Sequence, residues 1–257
     1  MSDATPTAGI GIICKTPTPG ASKTRLLSLL GPDGAAELAG CFLRDTSDVI
    51  QSIPAAAGCR GYAIYAPEGS EATLRRFVPA SFGLVCRRDA TLGVVLSGAT
   101  EHLLAEGHDV VVLVNADSPT MPFELIASAI AATRAPGDRV VLGPATDGGY
   151  YLIALKTAHR RLFEDIAWST ATVLEQTLQR AREIGLEARL LAPWYDVDDA
   201  ASLAELIDEL HAGQRLAGLA QYPGGRATAT RAFLAKYPRI RETIRAEVNA
   251  AAGKTRS

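Results

Sequence analysis

Three cations sit in one short loop of this chain. Lys15-Thr-Pro-Thr-Pro-Gly20-Ala-Ser-Lys23-Thr-Arg25 follows the apolar run Ile10-Gly-Ile-Ile-Cys14. Pro17, Pro19 and Gly20 exclude regular structure there, so the segment must be a shaped loop. Ser22 or Thr24 is expected to cap a helix that follows, and free N–H groups at a helix start attract anions. Lys23 and Arg25 would then stand in a first turn whose dipole opposes them. A bound polyphosphate resolves that conflict, so Lys15, Gly20, Lys23 and Arg25 are the expected phosphate-binding residues. The segment is not a Walker A loop, because Pro17 stands where the first glycine should be. Gly9-Ile-Gly11 is not a dinucleotide fingerprint, because it lies inside the strand and lacks the third glycine.

Carboxylates supply the complementary half. Asp117 follows the apolar run 109–115, and Asp196, Asp198 and Asp199 follow Trp194-Tyr195. Asp117 is expected to hold Mg²⁺ or Mn²⁺, ions that take oxygen ligands and share them with substrate phosphates. Asp196 and Asp198 fall on one side of an extended segment, and one of them is the expected second ligand, with Asp198 preferred. Each of these residues also fits a plainer role: Asp117, Ser118 or Thr120 as a cap for helix 122–134, and Asp198 or Asp199 as a cap for helix 200–212. Asp147-Gly148-Gly149 offers either close backbone approach to a ligand or a hairpin turn. Tyr150 and Tyr151 after it could stack on a base or sugar, with one of the pair facing the core. Trp168-Ser169-Thr170 is expected to open helix 169–185. The four histidines show no ligand spacing, and His102 and His108 are expected at the surface. No Ser-His-Asp or Cys-His arrangement indicates a covalent nucleophile.

The elements that must position these residues alternate. Strand patterns fall at 9–14, 60–65, 82–87, 109–115, 138–143, 150–155 and 187–192. Helical patterns fall at 22–30, 33–52, 70–78, 93–106, 122–134, 169–185 and 200–212. The βα alternation predicts an α/β fold with a doubly wound, mostly parallel sheet. The run Val110-Val-Val-Leu-Val reads as a strand covered on both faces. The glycine loop at 143–151 joins two strands without a helix, so one strand nearby is expected to run antiparallel. Short helices at 228–236 and 239–251 follow a boundary near 221–225. The expected organisation is a nucleotide-binding domain over 1–212 with a helical extension over 213–257 packed on it.

Composition narrows the partners. The 257 residues carry a net charge of −2, with 47% hydrophobic and 21% charged residues, which is ordinary for a soluble domain. Residues 213–257 hold nine Lys/Arg against two Asp/Glu, leaving 17 basic against 26 acidic in the rest, and the basic stretch reads as a solvated surface. Small-molecule partners are expected, with no nucleic acid and no membrane, and a homodimer is left open. Cys14, Cys41, Cys59 and Cys86 show no metal spacing, read as small hydrophobes, and fit a reducing cytoplasm. No signal peptide is expected from the first residues, and no run reaches the length of a membrane span.

Taken together, Lys15, Pro17, Pro19-Gly20, Lys23-Thr-Arg-Leu26, Asp117-Ser-Pro119, Gly143-Pro144, Asp147-Gly-Gly-Tyr-Tyr151, Trp168-Ser-Thr170 and Tyr195-Asp-Val-Asp198 resemble a bacterial family of transferases with the GT-A-type nucleotide-diphospho-sugar transferase fold. That family is described as glycosyltransferase-like or radical-SAM/selenodomain-associated. The layout is also similar to 2-phospholactate guanylyltransferase-type nucleotidyltransferases. The resemblance spans about 9–210, with Thr230-Arg-Ala-Phe-Leu234 like the family's tail. It implies a single Rossmann-like GT-A fold with a mostly parallel mixed sheet and helices on both faces. It also implies catalytic roles for Lys23, Arg25 and Asp117. Acceptor or sugar contacts would fall at Asp147, Gly148, Gly149, Tyr150, Trp168 and Ser169. Leu92-Gly-Val-Val-Leu96 departs from the pattern, lacking the Arg and Met that relatives carry there. The expected activity is nucleotidylyl transfer from an NTP to a small phosphorylated acceptor with release of pyrophosphate. Glycosyl transfer from a nucleotide-diphospho-sugar is the alternative, and a non-catalytic nucleotide-binding protein is the third reading.

Overall fold

A computed structural model of the chain describes residues 7–54, 58–88, 91–212, 222 and 224–244. Seven strands form one sheet: β1 (Ala8–Lys15), β2 (Cys59–Ala66), β3 (Gly83–Cys86), β4 (Val110–Asn115), β5 (Arg139–Pro144), β6 (Tyr150–Leu155) and β7 (Glu187–Leu190). Their order is β3-β2-β1-β4-β6-β5-β7. Every pairing is parallel except those of β6, which runs antiparallel to both β4 and β5. The glycine loop after β5 is the cause: a short hairpin can return only as an antiparallel neighbour.

Helices cover both faces: α1 (Leu27–Gln51), α2 (Glu71–Leu74), α3 (Leu92–Ala105), α4 (Phe123–Arg134), α5 (Val173–Glu183), α6 (Ala200–Ala212) and α7 (Thr228–Leu234). β4 shows why the sheet is sandwiched. Val110, Val112 and Val114 enter one core with Leu38, Phe42 and Leu125. Val111 and Leu113 enter the other with Leu96, Leu103 and Leu162. Alternation within a uniformly apolar strand thus feeds two cores at once.

Several expectations need correction. Helix 22–30 is a single 3-10 turn, Thr24–Leu26, followed by α1, and α1 is interrupted where Gly31 takes φ 68 before Pro32. Helix 70–78 is only the one turn of α2. His108 is buried at 8% exposure, bonded through Nε2 to the Tyr62 hydroxyl at 2.7 Å. Gly9 makes room for it, since a Cβ there would lie 2.7 Å from the imidazole; this glycine serves packing. Thr24–Gln51, at 28 residues and with an 18-residue stretch of mean hydropathy 1.3, is long and apolar enough to cross a membrane by length and composition. Its apolar side chains Leu30, Leu38, Phe42 and Val49 are spent on the core. Cys41 is buried and the other three cysteines are half-buried, all four free.

α7 docks on α1 through Asp45, whose carboxylate accepts from Ala229 N at 2.8 Å, Thr230 N at 2.9 Å and the Thr230 hydroxyl at 2.5 Å. A side chain from another helix thus satisfies the N–H groups that α7 leaves open. The expected boundary between 212 and 213, residues 221 and 223, the end of helix 239–251 and the first six residues lie outside the described residues.

Candidate active site

Four loops of the site leave one edge of the sheet. They follow β1, β4, β5 and β7; the loops after β2 and β3 leave the same edge, and antiparallel β6 begins there too. That edge is where open α/β sheets bind ligands. Local bonds fix the loop after β1: Thr18 N donates to the Ser22 hydroxyl at 2.9 Å, and the Thr18 hydroxyl donates to Thr16 O at 3.0 Å. Ser22 is thereby used inside the loop, and neither it nor Thr24 caps a helix. Lys23 holds that position, in left-handed conformation with φ 47.

The segment between β7 and α6 is lashed to the other loops. Thr146 N donates to Trp194 O at 3.1 Å and Val197 N to Asp117 O at 2.9 Å. The Ser118 hydroxyl donates to Tyr195 O at 2.8 Å. Beneath it, Glu209 accepts from the Tyr195 and Thr120 hydroxyls in a buried cluster. Asp199 is the cap of α6, accepting from Ser202 N at 2.9 Å, which leaves Asp198 for other work. Helix α4 starts after Pro122 without a side-chain cap, so Asp117, Ser118 and Thr120 are not caps.

Asp117, Asp198 and Lys23 meet. The Lys23 ammonium lies 2.6 Å from Asp117 Oδ1 and 2.9 Å from Asp198 Oδ1, and it donates to Val197 O at 2.6 Å. Its side chain is 6% exposed, against 39% and 44% for the two carboxylates. The Phe42 ring lies 5.2 Å beneath the ammonium. Burial alone would favour the neutral amine, but the Asp117 and Asp198 carboxylates overcome it and hold the Lys23 pKa above its ordinary value.

Asp196 joins from the side. Burial, then the carboxylates of Asp147, Asp198 and Asp117, push its pKa up to about 6. Asp196 therefore feels three neighbouring carboxylates, two of which hold the Lys23 ammonium. Arg25 is exposed, and its charge helps hold the Asp199 carboxyl below the usual range, behind the hydrogen bond from Ser202. Lys15 is exposed at the end of β1, and Gly20 takes φ 76 in the loop beyond it.

The β5–β6 hairpin forms the far wall. Asp147 Oδ1 accepts from Gly149 N at 2.9 Å. Gly148 has φ 92, and a Cβ there would lie 2.1 Å from Ala171 O, so only glycine fits. Leu174 N donates to Gly148 O at 3.0 Å, tying the hairpin to the start of α5. Helix α5 begins at Val173, not at Ser169, which is exposed with φ 64. Trp168 packs edge-on against Tyr150, with ring centroids 6.5 Å apart. Both tyrosines turn inward: the Tyr151 hydroxyl donates to Ala192 O at 2.9 Å, and Tyr150 packs against the second core with its hydroxyl buried, so neither presents a free ring face as expected for stacking on a base or sugar.

Beside this wall lies a cavity of about 640 Å³ between α3 and the 160–168 segment, lined by Arg87, Ser97, Glu101, Arg160, Asp165 and Trp168. Of these, only Trp168 belongs to a motif visible in the sequence. The Arg87-Arg88 pair just after β3 marks Arg87 alone, and nothing in the sequence marks Ser97, Glu101, Arg160 or Asp165.

Among the described residues, no group of three or more His, Cys, Asp or Glu side chains is arranged to hold a metal. The Lys23 environment fits a hard cation in a different way. Two carboxylates and a backbone carbonyl are an all-oxygen set, and Mg²⁺ is commonly held by one or two carboxylates plus substrate phosphates.

With β6 reversed within an otherwise parallel sheet, and an acidic site at the strand ends, the chain has the Rossmann-like GT-A fold of nucleotide-diphospho-sugar transferases. A solved structure described as a "putative nucleotide-diphospho-sugar transferase", from Desulfovibrio desulfuricans G20, is similar with 25% identity and a TM-score of 0.78, covering 92% of this chain and 97% of that one. The structure of CMP:2-keto-3-deoxy-manno-octonic acid synthetase complexed with CTP shares the fold at 14% identity and a TM-score of 0.53, covering 80% of this chain and 99% of that one. Residues 49–170 match the family model described as "Uncharacterized protein conserved in bacteria (DUF2064)". No curated protein matches the chain.

Proposed function

We propose that this chain is a metal-dependent transferase acting on an activated nucleotide, and that it passes a nucleotidyl group from an NTP to a small phosphorylated acceptor. The observation that carries the reading is the Lys23 ammonium shared by Asp117 and Asp198 at the carboxyl edge of the sheet. It joins a cationic loop and an acidic rim in one place. Lys15, Lys23 and Arg25 bind phosphate oxygens, with Gly20 allowing close approach. Asp117 and Asp198 hold Mg²⁺ or Mn²⁺, which when bound neutralises charge developing on the phosphates. Asp147, Gly148, Gly149, Tyr150, Trp168 and Ser169 form the acceptor side.

An acceptor phosphate oxygen attacks the α-phosphorus. A new P–O bond forms there, the bond to the bridging oxygen breaks, and that electron pair leaves with pyrophosphate. The attacking phosphate is already ionised, so no general base is needed. Positioning and charge neutralisation carry the rate. A cytoplasmic setting, with its pools of NTP and phosphorylated acids, belongs to the same reading.

The second reading, glycosyl transfer from a nucleotide-diphospho-sugar, is favoured by the 25% identity with the D. desulfuricans protein across nearly the whole chain. It ranks second because three cations in one loop suit a triphosphate. Incubation with Mg²⁺ and each NTP or nucleotide-sugar, with a pool of small phosphorylated acids, separates the two. Pyrophosphate release supports the first reading and free nucleoside diphosphate the second. Metal-dependent nucleotide binding with neither product would leave only a binding protein.

A further inference from the structure

We infer that Lys23 is the resident cation of the metal site and must leave it before a divalent ion can enter, so that metal and polyphosphate bind together. The inference rests on the reading of Lys23, Asp117 and Asp198 given above, and it concerns the order and coupling of the two ligands.

The ammonium has three N–H donors and three oxygen partners: Asp117 Oδ1 at 2.6 Å, Asp198 Oδ1 at 2.9 Å and Val197 O at 2.6 Å. All its hydrogen-bonding capacity is therefore used. A divalent ion bridging the same two carboxylate oxygens at about 2.0–2.2 Å would need the space that Nζ fills. Ammonium and metal are mutually exclusive there.

For metal alone the exchange is unfavourable. The ion must shed water and expel an ammonium that gives up three oxygens and gains none. A polyphosphate changes the balance by offering Lys23 new anionic oxygens. Expulsion is then a transfer from carboxylates to phosphates. The vacated oxygens, two carboxylates and the Val197 carbonyl, form one face of a cation site, and phosphate oxygens and water complete it. Lys23 can make the move because it stands at the end of the exposed loop 18–21, before the 3-10 turn, on a flexible four-carbon stem. Coupling of this kind is reciprocal, so each ligand strengthens the other. While the site waits, the ammonium partly offsets the charge of the two carboxylates that hold it.

The test is Mn²⁺ retention by the full-length protein in ultrafiltration, with Mn²⁺ alone and with Mn²⁺ plus inorganic tripolyphosphate. Wild type is expected to retain Mn²⁺ at least about tenfold more tightly with tripolyphosphate. Lys23→Met is expected to bind Mn²⁺ alone at least about tenfold more tightly than wild type does, with little further gain from tripolyphosphate. Asp198→Asn should retain little in either arm. If wild type holds Mn²⁺ equally well in both arms, the outward carboxylate oxygens take the metal with Lys23 in place. The exclusion is then overturned while the carboxylate site stands. If no arm retains Mn²⁺, Lys23→Met included, the inference falls together with the site itself. Should Lys23→Met not fold, Lys23→Gln replaces it, and the two wild-type arms still decide.

Discussion

The Lys23 cluster and the α3 cavity lie on the two sides of the β5–β6 hairpin, and they treat charge in opposite ways. In the cluster, a cation that is 6% exposed is held by Asp117 and by the adjacent Val197 and Asp198, two distant parts of the chain. In the cavity, the Arg160–Glu101 pair is mostly open, with Arg160 73% and Glu101 35% exposed. Arg161 likewise pairs at the surface with Asp165 and Glu183. Buried charge is costly unless fully partnered, and removing one partner exposes that cost. Exposed pairs contribute little and can be rearranged. The cluster therefore keeps its resting geometry until a ligand offers Lys23 replacement oxygens, whereas the exposed pairs of the cavity rearrange freely. This division suits an enzyme whose chemistry is fixed and whose acceptor is selected at a separate wall.

The largest effect should come from the cluster. Asp117→Ala is expected to lower turnover by about 10³-fold, since positioning and charge neutralisation supply most of the rate. Measured kcat within tenfold of wild type would remove Asp117 from the chemistry. Gly148→Ala strikes the hairpin that both regions share. The added methyl meets the Ala171 backbone and the residue must keep φ 92. A loss of about 3 kcal/mol in denaturant unfolding is expected, and a loss under 1 kcal/mol would show that the hairpin yields.

Asp196 gives a pH-dependent effect. Its folded pKa of about 6 lies above the ordinary carboxylate value, so the native state binds the extra proton and stability falls as pH rises from about 4 to 6. Asp196→Asn should flatten that slope and raise stability at pH 7 by about 1 kcal/mol, after allowance for its partial exposure to solvent. Parallel melting curves for the two proteins from pH 4 to 7 would contradict this. The smallest effect belongs to the cavity: Arg160→Ala should change stability by no more than about 0.5 kcal/mol. Its consequence should appear in the KM for acceptor while the KM for nucleotide stays constant. A large stability loss would erase the contrast between the two regions.

The sequence conveyed the framework because its signals are local. Hydrophobic runs marked seven strands to within a residue or two at most ends, and Asp147-Gly148-Gly149 marked the reversal at β6. Lys23 and Ser169 were misread because a non-glycine residue at positive φ leaves no mark in composition. The sequence named Asp117, Asp198 and Lys23 separately as a metal site and a phosphate site. It did not reveal that the lysine sits on the carboxylates themselves, since only the fold brings residues 23, 117 and 198 together. His108 was misjudged for a related reason: its burial depends on Gly9, about a hundred positions earlier, leaving it room.

The Lys23 cluster is the place where nucleotide and metal are expected to meet. The most direct measurement is the melting shift produced by each NTP with and without Mg²⁺, in wild type and in Asp117→Asn. A stabilisation in wild type that needs both ligands, and that vanishes in Asp117→Asn, is the predicted result. An equal shift in both proteins, or a shift indifferent to Mg²⁺, would contradict it.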